Sequence, residues 1–481
     1  MMQKKWQKMR IALALASLLA AALPAGVSAQ EDSANAKQSQ EILELLSELH
    51  VSGVTADQLK SKSIQEMIDS LKDPYTMYFS EQDLQQFEST LENNYVGIGA
   101  RVGLDDDGVY VSEIFAGSPA EKAGLQPEDY IVAVNGVSAK GQALDAVVGN
   151  IVGEPGTDVT ISVLRSGRTF DLQAVRGAVN IPEVYSKLFD KGAGYIQITD
   201  FSSDADEEFS AALEQLQEQG LNSLVIDLRN NLGGFLETAR HIAKHFIKDG
   251  VLIHTRDRLN EDDPVTIEGG STFPIPVYVL LNEYSASASE VLTGAMQDYK
   301  AAKVIGVNSY GKGSVQQLFS LESGGAVKIT IEEYLTPKRR KVNGVGIQPD
   351  VEVHGEAAQM ITALRQAGIE DVTVTAGSRG VTINSVKVDD SLPLIREDGE
   401  LFAPTRALAA LIDAGIAWNG GNQSVEVTSG DIRHAFPVEP MSLWVDNGIS
   451  YVNVNAFTRV FPQLKVADEG KQVTFHAVKG S

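Results

Sequence analysis

The sequence predicts a multi-domain protein of mixed α/β and α+β class. We expect a helical N-terminal region, a compact β-rich module, an α/β core and a separate α+β C-terminal domain. At 481 residues the chain is too long for one typical hydrophobic core. Short β-rich runs between Gly, Asp and Pro turns fill residues 95–177. Strand and helix patterns then alternate from about Val179, which is typical of a layered α/β core.

The first 29 residues have the pattern of a secretory signal. The basic stretch MMQKKWQKMR precedes the apolar stretch IALALASLLAAAL, and the small residues VSA end at Ala29. We therefore expect an extracytoplasmic mature protein that begins near residue 30, with an uncleaved membrane anchor as the alternative. Loss of this segment removes four basic residues and no acidic residue, which changes the formal charge from −24 to −28.

Charge and cysteine content exclude several classes of function. A chain this acidic is not expected to bind nucleic acid or an anionic membrane surface through its charge. The absence of cysteine excludes disulfides, a thiol nucleophile and cysteine-based metal sites. Nucleophilic catalysis would therefore need a Ser, Thr, Lys or carboxylate side chain.

The predicted elements follow hydrophobic periodicity along the chain. Residues 30–94 have helical patterns in QEILELLSEL, SIQEMIDSL and EQDLQQFESTL, with DPYTMYF between the last two. Residues 95–177 contain five or six strands and two short helices, and the strand patterns include VGIGARV, GVYVSEI, YIVAVNG and DVTISVLRSG.

Residues 178–365 are predicted to form the α/β core. Its strands are GYIQITDF, SLVIDLR, VYVLLN, AAKVIGV and AVKITIEEYL, and SLVIDLR is apolar enough to be buried on both faces of a sheet. Its helices include DADEEFSAALEQLQEQ and FLETARHIAKHFI. Residues 372–481 contain a weak internal repeat of strand, helix, strand, turn and strand, at 398–427 and 446–475.

Three serines alternate with alanines where VYVLLN is expected to pass into a helix, at Ser285, Ser287 and Ser289. Ser287 with Glu290 three residues later fits a capping box, and on this stretch alone helix capping is the favoured interpretation. The alternative is a nucleophile at the helix N-terminus, where backbone N–H groups also stabilise an oxyanion.

Lys312 lies between two glycines in GKGSVQQ, and the spacing excludes a phosphate-binding Walker A loop. A lysine buried beside a serine can lose its charge through desolvation and act as a general base. Gln316, four residues later, shares a face with Lys312 in either a strand or a helix. The alternative is a surface Gly-Lys-Gly turn, which the loop by itself slightly favours.

Gly233 and Gly234 follow a buried strand and precede a helix, where α/β sheets commonly bind ligands. Their N–H groups are candidates for an oxyanion site, and an ordinary strand–turn–helix connection is the equally supported alternative.

His241 and His245 are four residues apart on the next predicted helix, a spacing typical of metal ligands. They fall opposite the apolar stripe and beside charged residues, so a solvated helix face is the favoured interpretation.

Six motifs occur in one order along the chain: DPYTMYF, YVGIGARV, VIDLRNNLGGF, SASASEVLTGAMQD, YGKGSVQ and GVGIQPD. Together they resemble the carboxy-terminal processing peptidases, secreted S41-family serine proteases with an embedded PDZ domain. The resemblance covers about residues 40–355. It implies that Ser287 is the nucleophile, that Lys312 is the base and that Gln316 assists Lys312. It leaves Ser285 and Ser289 with structural roles and implies no cofactor.

Two positions depart from the family pattern. Tyr284 stands before the first serine, where the family usually has glycine, and TPKRRKVNGVG replaces the usual Pro-Ser-Gly-Arg segment. The first departure bears on the shape of the pocket and the second on a surface turn, and neither touches the predicted dyad.

The module at residues 95–177 resembles a PDZ domain, which implies binding of a free peptide C-terminus. In such domains the peptide adds a strand to a sheet edge, and a turn of backbone N–H groups holds its carboxylate. We assign that turn to Val96, Gly97, Ile98 and Gly99, with Val96 and Ile98 lining a pocket.

The tail at residues 372–481 resembles the domain named after the N-terminal region of copper amine oxidases. Its histidines, His434 and His476, have no close cluster of further ligands in the sequence, so no metal is expected.

The sequence therefore predicts a secreted serine endopeptidase with a Ser–Lys dyad, which cleaves protein substrates near their C-termini. The expected partners are proteins or peptides with free C-termini, and a cell-wall or regulatory protein at the C-terminal domain. The oligomeric state is open, with a homodimer as one option. The competing interpretation is a PDZ adaptor on an inactive protease core, and the intact Ser287, Lys312 and Gln316 argue against it. A metal hydrolase that uses His241 and His245 is the weaker alternative.

Overall fold

The computed structural model describes residues 32–91, 95–179, 181–388 and 392–479. The predicted signal segment, residues 1–29, lies outside these ranges. The chain divides into two compact units, which are Met1–Glu88 with Glu183–Glu352 and Ser89–Pro182 with Val353–Ser481. None of the helices in the described ranges has the length and apolarity that crossing a bilayer requires.

The first unit begins with four helices, and the apolar spacing predicts the first, third and fourth of them but not the short second one. They are α1 (Asp32–Leu49), α2 (Ala56–Leu59), α3 (Ile64–Leu71) and α4 (Glu81–Leu91), with strand β1 (Met77–Phe79) between α3 and α4. Ser63 caps α3, because its hydroxyl accepts the N–H of Glu66 while the Glu66 carboxylate accepts the N–H of Ser63. The short strand β1 lies inside the DPYTMYF motif and was not predicted from the sequence.

The β-rich module belongs to the second unit. Its elements are β2 (Tyr95–Gly97), β3 (Ala100–Asp105), β4 (Gly108–Ile114), α5 (Pro119–Ala123), β5 (Tyr130–Val134), β6 (Val137–Ser138), α6 (Leu144–Ile151), β7 (Asp158–Arg165), β8 (Arg168–Val175) and β9 (Gly177–Val179). The main sheet has the order β3-β4-β5-β7-β8, with β6 on β5, so β3 is an edge strand. In β7 the alternate residues Val159, Ile161 and Val163 face the core, as the period of two predicts.

The α/β core completes the first unit. Its elements are β10 (Val184–Leu188), β11 (Ala193–Ile198), α7 (Ala205–Glu218), β12 (Ser223–Asp227), α8 (Leu236–Ala243), β13 (Gly250–Asp257), β14 (Asp262–Ile267), β15 (Val277–Leu281), α9 (Ala288–Asp298), β16 (Lys303–Gly306), β17 (Ser314–Ser320), β18 (Ala326–Leu335) and β19 (Val351–Glu352). The helix predicted for residues 235–247 is shorter than expected, because regular helix ends at Ala243 and the chain continues in turns to Ile247.

Two sheets organise this core. The first has the order β10-β11-β12-β15-β16-β19, and all of its neighbouring pairs except β10 with β11 are parallel. The adjacent parallel strands β12 and β15 end at the same sheet edge, which brings the Gly233–Gly234 turn and the serine run together. The second sheet has the order β1-β18-β13-β14, with β17 on β18. It therefore includes a strand from the N-terminal helical region.

The tail elements lie in the second unit. They are α10 (Glu356–Gln366), β20 (Asp371–Gly377), β21 (Gly380–Ile383), β22 (Val386–Val388), β23 (Ile395–Glu397), β24 (Glu400–Pro404), α11 (Thr405–Leu411), β25 (Gly415–Asn419), β26 (Ser424–Ser429), β27 (Ile432–Pro437), β28 (Leu443–Asp446), β29 (Ile449–Asn453), α12 (Val454–Val460), β30 (Leu464–Asp468) and β31 (Gln472–Val478). The order β24-α11-β25-β26 recurs as β29-α12-β30-β31, which matches the predicted internal repeat.

Helix α10 packs with the tail rather than ending the core. It contacts α11, and its buried Arg365 donates to the backbone carbonyls of Leu411 and Ala477. The second segment of this unit starts at Val353, so the boundary that we drew between residues 365 and 372 falls inside the unit.

Candidate active site

The serine run forms the connection between β15 and α9. Ser287 is the N-cap residue of α9 and is 1% exposed. Its backbone has φ 55° and ψ −115°, a conformation that costs a non-glycine residue on the order of 1–3 kcal/mol. Such strain is typical of a nucleophile presented on a sharp strand-to-helix turn. The capping and nucleophile interpretations therefore describe one and the same residue.

The two flanking serines have hydroxyls that bond to the backbone of the neighbouring turn. Ser285 Oγ donates to the carbonyl of Leu228 at 2.8 Å, and Ser289 Oγ donates to the carbonyl of Asn231 at 3.0 Å. Both hydroxyls are fully buried and hold the serine run against the connection that follows β12. This arrangement fits the structural role that the family resemblance implies for them.

Glu290 connects the serine turn with the lysine loop. Its carboxylate accepts the N–H of Ser287 at 2.9 Å and the N–H of Lys312 at 2.8 Å. It also accepts the N–H of Gly311 at 2.7 Å and the hydroxyl of Ser309 at 2.5 Å. Burial raises the pKa of Glu290, while these hydrogen bonds lower it in part. The capping box predicted only the contact with Ser287, because the contacts with residues 309–312 come from the fold.

Lys312 is a buried lysine rather than the surface turn that its glycines suggested. Its side chain is 1% exposed, and its Nζ has no hydrogen-bond partner among the described residues. The Nζ lies 5.0 Å from the centre of the Tyr75 ring. Burial, with a smaller contribution from the charge of Lys328, lowers the pKa of Lys312 to about 7 against the opposing effect of Glu290 and Asp73. A large fraction of the amine is therefore neutral near pH 7.

Gln316 lies on β17 and is also 1% exposed. Its amide nitrogen donates to Ser314 Oγ at 2.9 Å and to Thr330 Oγ1 at 3.2 Å. Its amide oxygen, like the Lys312 Nζ, is buried without a partner in the described part of the chain. An unpaired buried acceptor and an unpaired buried donor complement each other, so Gln316 is suited to orient the lysine amine.

Tyr334 braces the same two loops from strand β18. Its hydroxyl donates to the carbonyl of Lys312 at 2.8 Å and lies 3.2 Å from the carbonyl of Ser287. The side chain is 2% exposed, and burial raises its pKa well above the ordinary value, so the hydroxyl remains a donor. No motif in the sequence distinguishes this tyrosine, and it becomes recognisable only through the pairing of β17 with β18.

The glycine turn after β12 packs directly against Ser287. Gly233 has φ 110°, and a Cβ built there would lie 2.7 Å from Ser287 Cβ and 3.0 Å from the nitrogen of Ala288. A Cβ built on Gly234 would likewise lie 2.3 Å from the carbonyl oxygen of Phe201. Only glycine fits at either position.

The predicted oxyanion donors need one correction. The N–H of Gly233 donates to Asn231 Oδ1 at 2.8 Å, so it is not free in this conformation. The sequence reasoning missed Ala288, whose N–H begins helix α9 beside Gly233. The residue that follows a nucleophile on such a turn commonly supplies an oxyanion donor, so this signal was present in the motif.

Comparisons with known proteins identify the family to which the chain belongs. The family model "Peptidase family S41" matches residues 192–353, and the model "PDZ domain" matches residues 84–164. A Staphylococcus aureus (strain MRSA252) protein named "Probable CtpA-like serine protease" is 32% identical over 386 residues, which is 80% of this chain and 77% of that protein. The "Carboxy-terminal processing protease CtpB" of Bacillus subtilis (strain 168) is 35% identical over 342 residues, which is 69% of this chain and 71% of that protein. The chain belongs to the carboxy-terminal processing peptidases of family S41.

The family resemblance stated from the six motifs is confirmed, and the peptidase is a serine protease that carries a PDZ domain. Among solved structures, the photosystem II D1 C-terminal processing protease aligns with a TM-score of 0.47 and 27% identity, over 69% of this chain and 97% of that one.

In the PDZ domain, the residues assigned to the carboxylate-binding turn have different positions. Val96 and Gly97 lie in β2, paired with Ala178 and Gly177. Ile98 is 3% exposed and belongs to the hydrophobic core of the domain, so it does not line an open pocket as we expected.

Gly99 occupies a position in the PDZ domain where the neighbouring atoms leave no room for a side chain. It has φ 77°, and a Cβ there would lie 2.3 Å from Ser118 Cβ. The turn leads into edge strand β3, and helix α6 packs beside that strand. The geometry for strand addition is therefore present.

The two histidines of the peptidase core do not converge on one point. His241 Nδ1 lies 2.6 Å from Asp206 Oδ2, and His245 Nε2 lies 2.9 Å from Ser210 Oγ. His241 is exposed, whereas His245 is half-buried and packs against Phe209. The prediction of a solvated face therefore fits His241 and is wrong for His245. No cluster of three metal-ligating side chains occurs within the described ranges.

Proposed function

We propose that the peptidase cleaves protein substrates near their C-termini with a catalytic dyad of Ser287 and Lys312. The observation that carries this proposal is the state of the Lys312 amine. It is buried without a hydrogen-bond partner in the described structure, its pKa is about 7, and its loop shares the Glu290 carboxylate with the strained Ser287. An unpaired lysine amine is costly to bury for structural purposes alone, and a neutral amine beside a serine is a general base.

In the acylation step, neutral Lys312 Nζ takes the proton of Ser287 Oγ as that oxygen attacks the scissile carbonyl carbon. The tetrahedral intermediate then collapses, the C–N bond breaks, and the leaving amine receives the proton from the Lys312 ammonium. The product is an acyl ester on Ser287 with a neutral lysine. In deacylation Lys312 accepts a proton from water, which attacks the ester, and returns it to Ser287 Oγ.

Two further groups support the reacting atoms. The amide oxygen of Gln316 and the lysine amine are both buried without a hydrogen-bond partner in the described part of the chain, so they do not bond to each other in this conformation. We propose that Gln316 accepts a hydrogen bond from Lys312 when substrate binds and so orients the amine. The N–H of Ala288 and the glycine turn line the side of Ser287 where an oxyanion would form. For Gly233 to contribute, its N–H must leave Asn231 Oδ1 when substrate binds.

We propose that the PDZ domain binds the free C-terminus of the substrate through edge strand β3, and that it gates the protease. The basic, apolar and small-residue pattern of residues 1–29 supports export across the membrane. The tail is proposed to bind a cell-wall or regulatory protein. An adaptor function without proteolysis is not favoured, because the dyad residues are present and buried in a coherent site.

Active-site labelling tests the dyad directly. The purified peptidase is treated with a fluorophosphonate, and the modified residue is located by peptide mass spectrometry. We expect one adduct on Ser287, no adduct in Ser287→Ala, and slow labelling in Lys312→Met. Ser203→Ala, at an exposed serine of the same unit, is the matched control and should label normally. An adduct on Ser285 or Ser289, or normal labelling of Lys312→Met, would contradict the proposal.

A further inference from the structure

The DPYTMYF motif forms a wall of the lysine pocket. Strand β1 of this motif pairs with β18, with Met77 opposite Lys328 and Phe79 opposite Ala326. The residues just before β1 include Asp73 and Tyr75, and the Tyr75 ring lies under the Lys312 Nζ. The helical N-terminal region therefore contributes to the pocket of the candidate base Lys312. In sequence, Tyr75 precedes the candidate nucleophile Ser287 by about 210 residues.

A second buried lysine lies in the same wall. Lys328 is 5% exposed, and its Nζ lies 5.7 Å from the centre of the Phe79 ring and 5.3 Å from that of Phe87. The proposed mechanism uses neither this lysine nor its charge. These two rings stack on each other with centres 4.5 Å apart, so the Lys328 ammonium lies beside a stacked aromatic pair. Cation–π attraction stabilises the buried cation in part, but its desolvation remains costly. A leucine or methionine would fill the space with a lower desolvation cost, so we expect the buried charge to have a function.

Strand register places Lys328 on the face of β18 that meets the catalytic groups. Thr330 is two residues from Lys328, so the two side chains share one face of the strand. Thr330 lies opposite Gln316 in the β17–β18 ladder and accepts its amide N–H. The charge of Lys328 lowers the pKa of Lys312, after burial the largest contribution.

Asp73 provides the opposite charge in this wall. Its carboxylate accepts the hydroxyl of Thr76 at 2.6 Å and the N–H of Tyr75 at 3.0 Å, and it lies 3.2 Å from His50 Nε2. Burial raises the pKa of Asp73, but hydrogen bonds from His50, Thr330 and Thr76 outweigh it and lower the pKa to about 2. The carboxylate is therefore ionised near neutral pH, and its charge favours the charged form of both lysines.

The remaining charged and titratable groups around Lys312 come from four segments of the chain. Glu290 faces it from helix α9 and favours the ammonium form. Tyr75 precedes β1, Tyr310 hydrogen-bonds to Tyr75 from the lysine loop, and Tyr334 projects from β18. Burial raises the pKa of Tyr75 and Tyr334, so these phenols are neutral at physiological pH. Within the described structure, Lys328 is the cation that opposes the two carboxylates. Burial lowers the pKa of Lys328 to about 8 against the opposing charge of Asp73, so its positive charge is present near pH 7 and is lost at higher pH.

We propose that Lys328 is a positioning residue for catalysis, whose buried positive charge holds Lys312 in the neutral form that activates Ser287, while Asp73 limits this effect. This inference rests on the proposed function, because it assumes that Lys312 is the base. It assigns a role to the DPYTMYF motif that the dyad alone leaves unexplained. The buried charge of Lys328 and the partly buried charge of Asp73, which is 13% exposed, lie on one wall and set the pH at which the peptidase becomes active.

Three substitutions in the full-length peptidase test the proposal through the pH dependence of kcat/KM. Lys328→Met removes the positive charge, so Lys312 protonates more easily and the rising limb of the profile should move up by about one pH unit. Asp73→Asn removes the negative charge, so the limb should move down by a similar amount. Lys328→Arg keeps the charge and should keep the profile. Lys303→Met, at an exposed lysine of β16, is the matched control for loss of one positive charge and should not move the limb.

A direct titration separates this inference from the dyad assignment. The peptidase is labelled with ¹³C at lysine Cε, and the Lys312 resonance is identified by its absence from Lys312→Met. We expect the titration midpoint of this resonance to move up in Lys328→Met and down in Asp73→Asn. A midpoint that stays in place in both folded variants overturns the proposal. If one variant fails to fold, the sign of the shift in the other decides.

The two measurements together identify which statement fails. If the Lys312 resonance shifts but the kcat/KM profile does not follow it, Lys312 is not the base, and the catalytic role of Lys328 falls with it. If fluorophosphonate labelling confirms the dyad but neither variant shifts the resonance, the dyad stands and only the role of Lys328 is excluded. Equal loss of activity at every pH, without a moved limb, would mean that Lys328 is merely structural.

Discussion

The backbone N–H groups of Ser287 and Lys312 donate to the same oxygen, Glu290 Oε2, at 2.9 and 2.8 Å. One carboxylate therefore fixes the two loops that carry the proposed dyad, although the two residues are on different turns of the chain. Because the carboxylate also accepts from Gly311 and Ser309, all of its strong acceptor positions are used for this purpose. The distance between the proposed nucleophile and the proposed base therefore depends on a residue that need not touch the substrate.

We expect Glu290→Gln to reduce kcat/KM by about 10- to 100-fold and to destabilise the fold by about 2–4 kcal/mol. An amide has one acceptor oxygen where the carboxylate has two. The NH₂ group of the glutamine would therefore face N–H groups that donate to the carboxylate in the wild type, and those hydrogen bonds would be lost. Steady-state kinetics and urea unfolding measure the two effects. Glu283→Gln, at an exposed position in the same connection, is the matched control and should change neither. Unchanged kinetics in a folded Glu290→Gln enzyme would show that the carboxylate does not position the dyad.

The pH dependence of kcat/KM should follow the deprotonation of Lys312. Because the pKa of Lys312 is about 7 and the base must be neutral, kcat/KM should rise with pH through about 7 and level off above it. Lys312→Arg should be inactive at all pH values, because a guanidinium does not lose its proton in proteins. An active Lys312→Arg enzyme would exclude lysine as the base.

The same lysine should destabilise the protein. Its folded pKa lies below its unfolded value, so between about pH 7 and 10 the unfolded state binds more protons and stability falls as the pH falls. We therefore expect Lys312→Met to be inactive but to melt at a higher temperature than the wild type at pH 7, measured by calorimetry. Lys303→Met, which removes an exposed charge, should leave the melting temperature nearly unchanged. A lower melting temperature for Lys312→Met would show that the lysine is not a costly burial.

Gly233→Ala should abolish activity through a local clash with the nucleophile turn. The added Cβ would meet Ser287 Cβ at 2.7 Å and Ala286 O at 2.9 Å, so the serine must move. Gly220→Ala separates this clash from backbone strain, since Gly220 also has positive φ, at 94°, but has open space around its Cβ position. Gly220→Ala is expected to lose some stability and to keep its activity. Normal turnover by Gly233→Ala would mean that the turn yields easily and does not define the site.

Recognition of substrate C-termini should depend on a free carboxylate. Amidation of the C-terminus of a good peptide substrate should weaken its binding by about 1–3 kcal/mol, because an amide cannot replace charge-assisted N–H bonds. The comparison uses kcat/KM of free and amidated peptides. Ile98→Asp is not a suitable probe of this recognition, because Ile98 is in the domain core and the buried charge would unfold the domain. Equal rates for the two peptides would show that the PDZ domain does not read C-termini.

Deletion of the tail should spare cleavage of a small unstructured peptide, to within about twofold, because the proposed catalytic groups all lie in the other unit. The deletion should begin at Val353 rather than at residue 372, since α10 packs on the tail and Arg365 would otherwise lose the carbonyls of Leu411 and Ala477. Loss of peptide cleavage in a folded protein of residues 30–352 would show that residues 353–481 are required for the chemistry.

The sequence by itself determined most of the longer elements, the family and the identity of the proposed dyad. Periodicity predicted α3 and α9 and the buried strand β12, because one face or both faces of each element must be apolar. The repeat in the tail was visible for the same reason. Ser287, Lys312 and Gln316 were found because they lie in short motifs, and a short motif is recognisable from consecutive residues without knowledge of the fold.

Only the tertiary structure decided what surrounds those residues. Glu290 was predicted as a cap, and its contacts with residues 309–312 appear only when the lysine loop folds over α9. The charges of Asp73 and Lys328 act on each other because β1 pairs with β18, although the two strands are about 250 residues apart in sequence. The occupied N–H of Gly233 and the buried side chain of Ile98 are likewise results of packing. Local patterns record which face of an element is apolar, whereas the pKa of a base depends on charges that distant segments bring within a few ångströms.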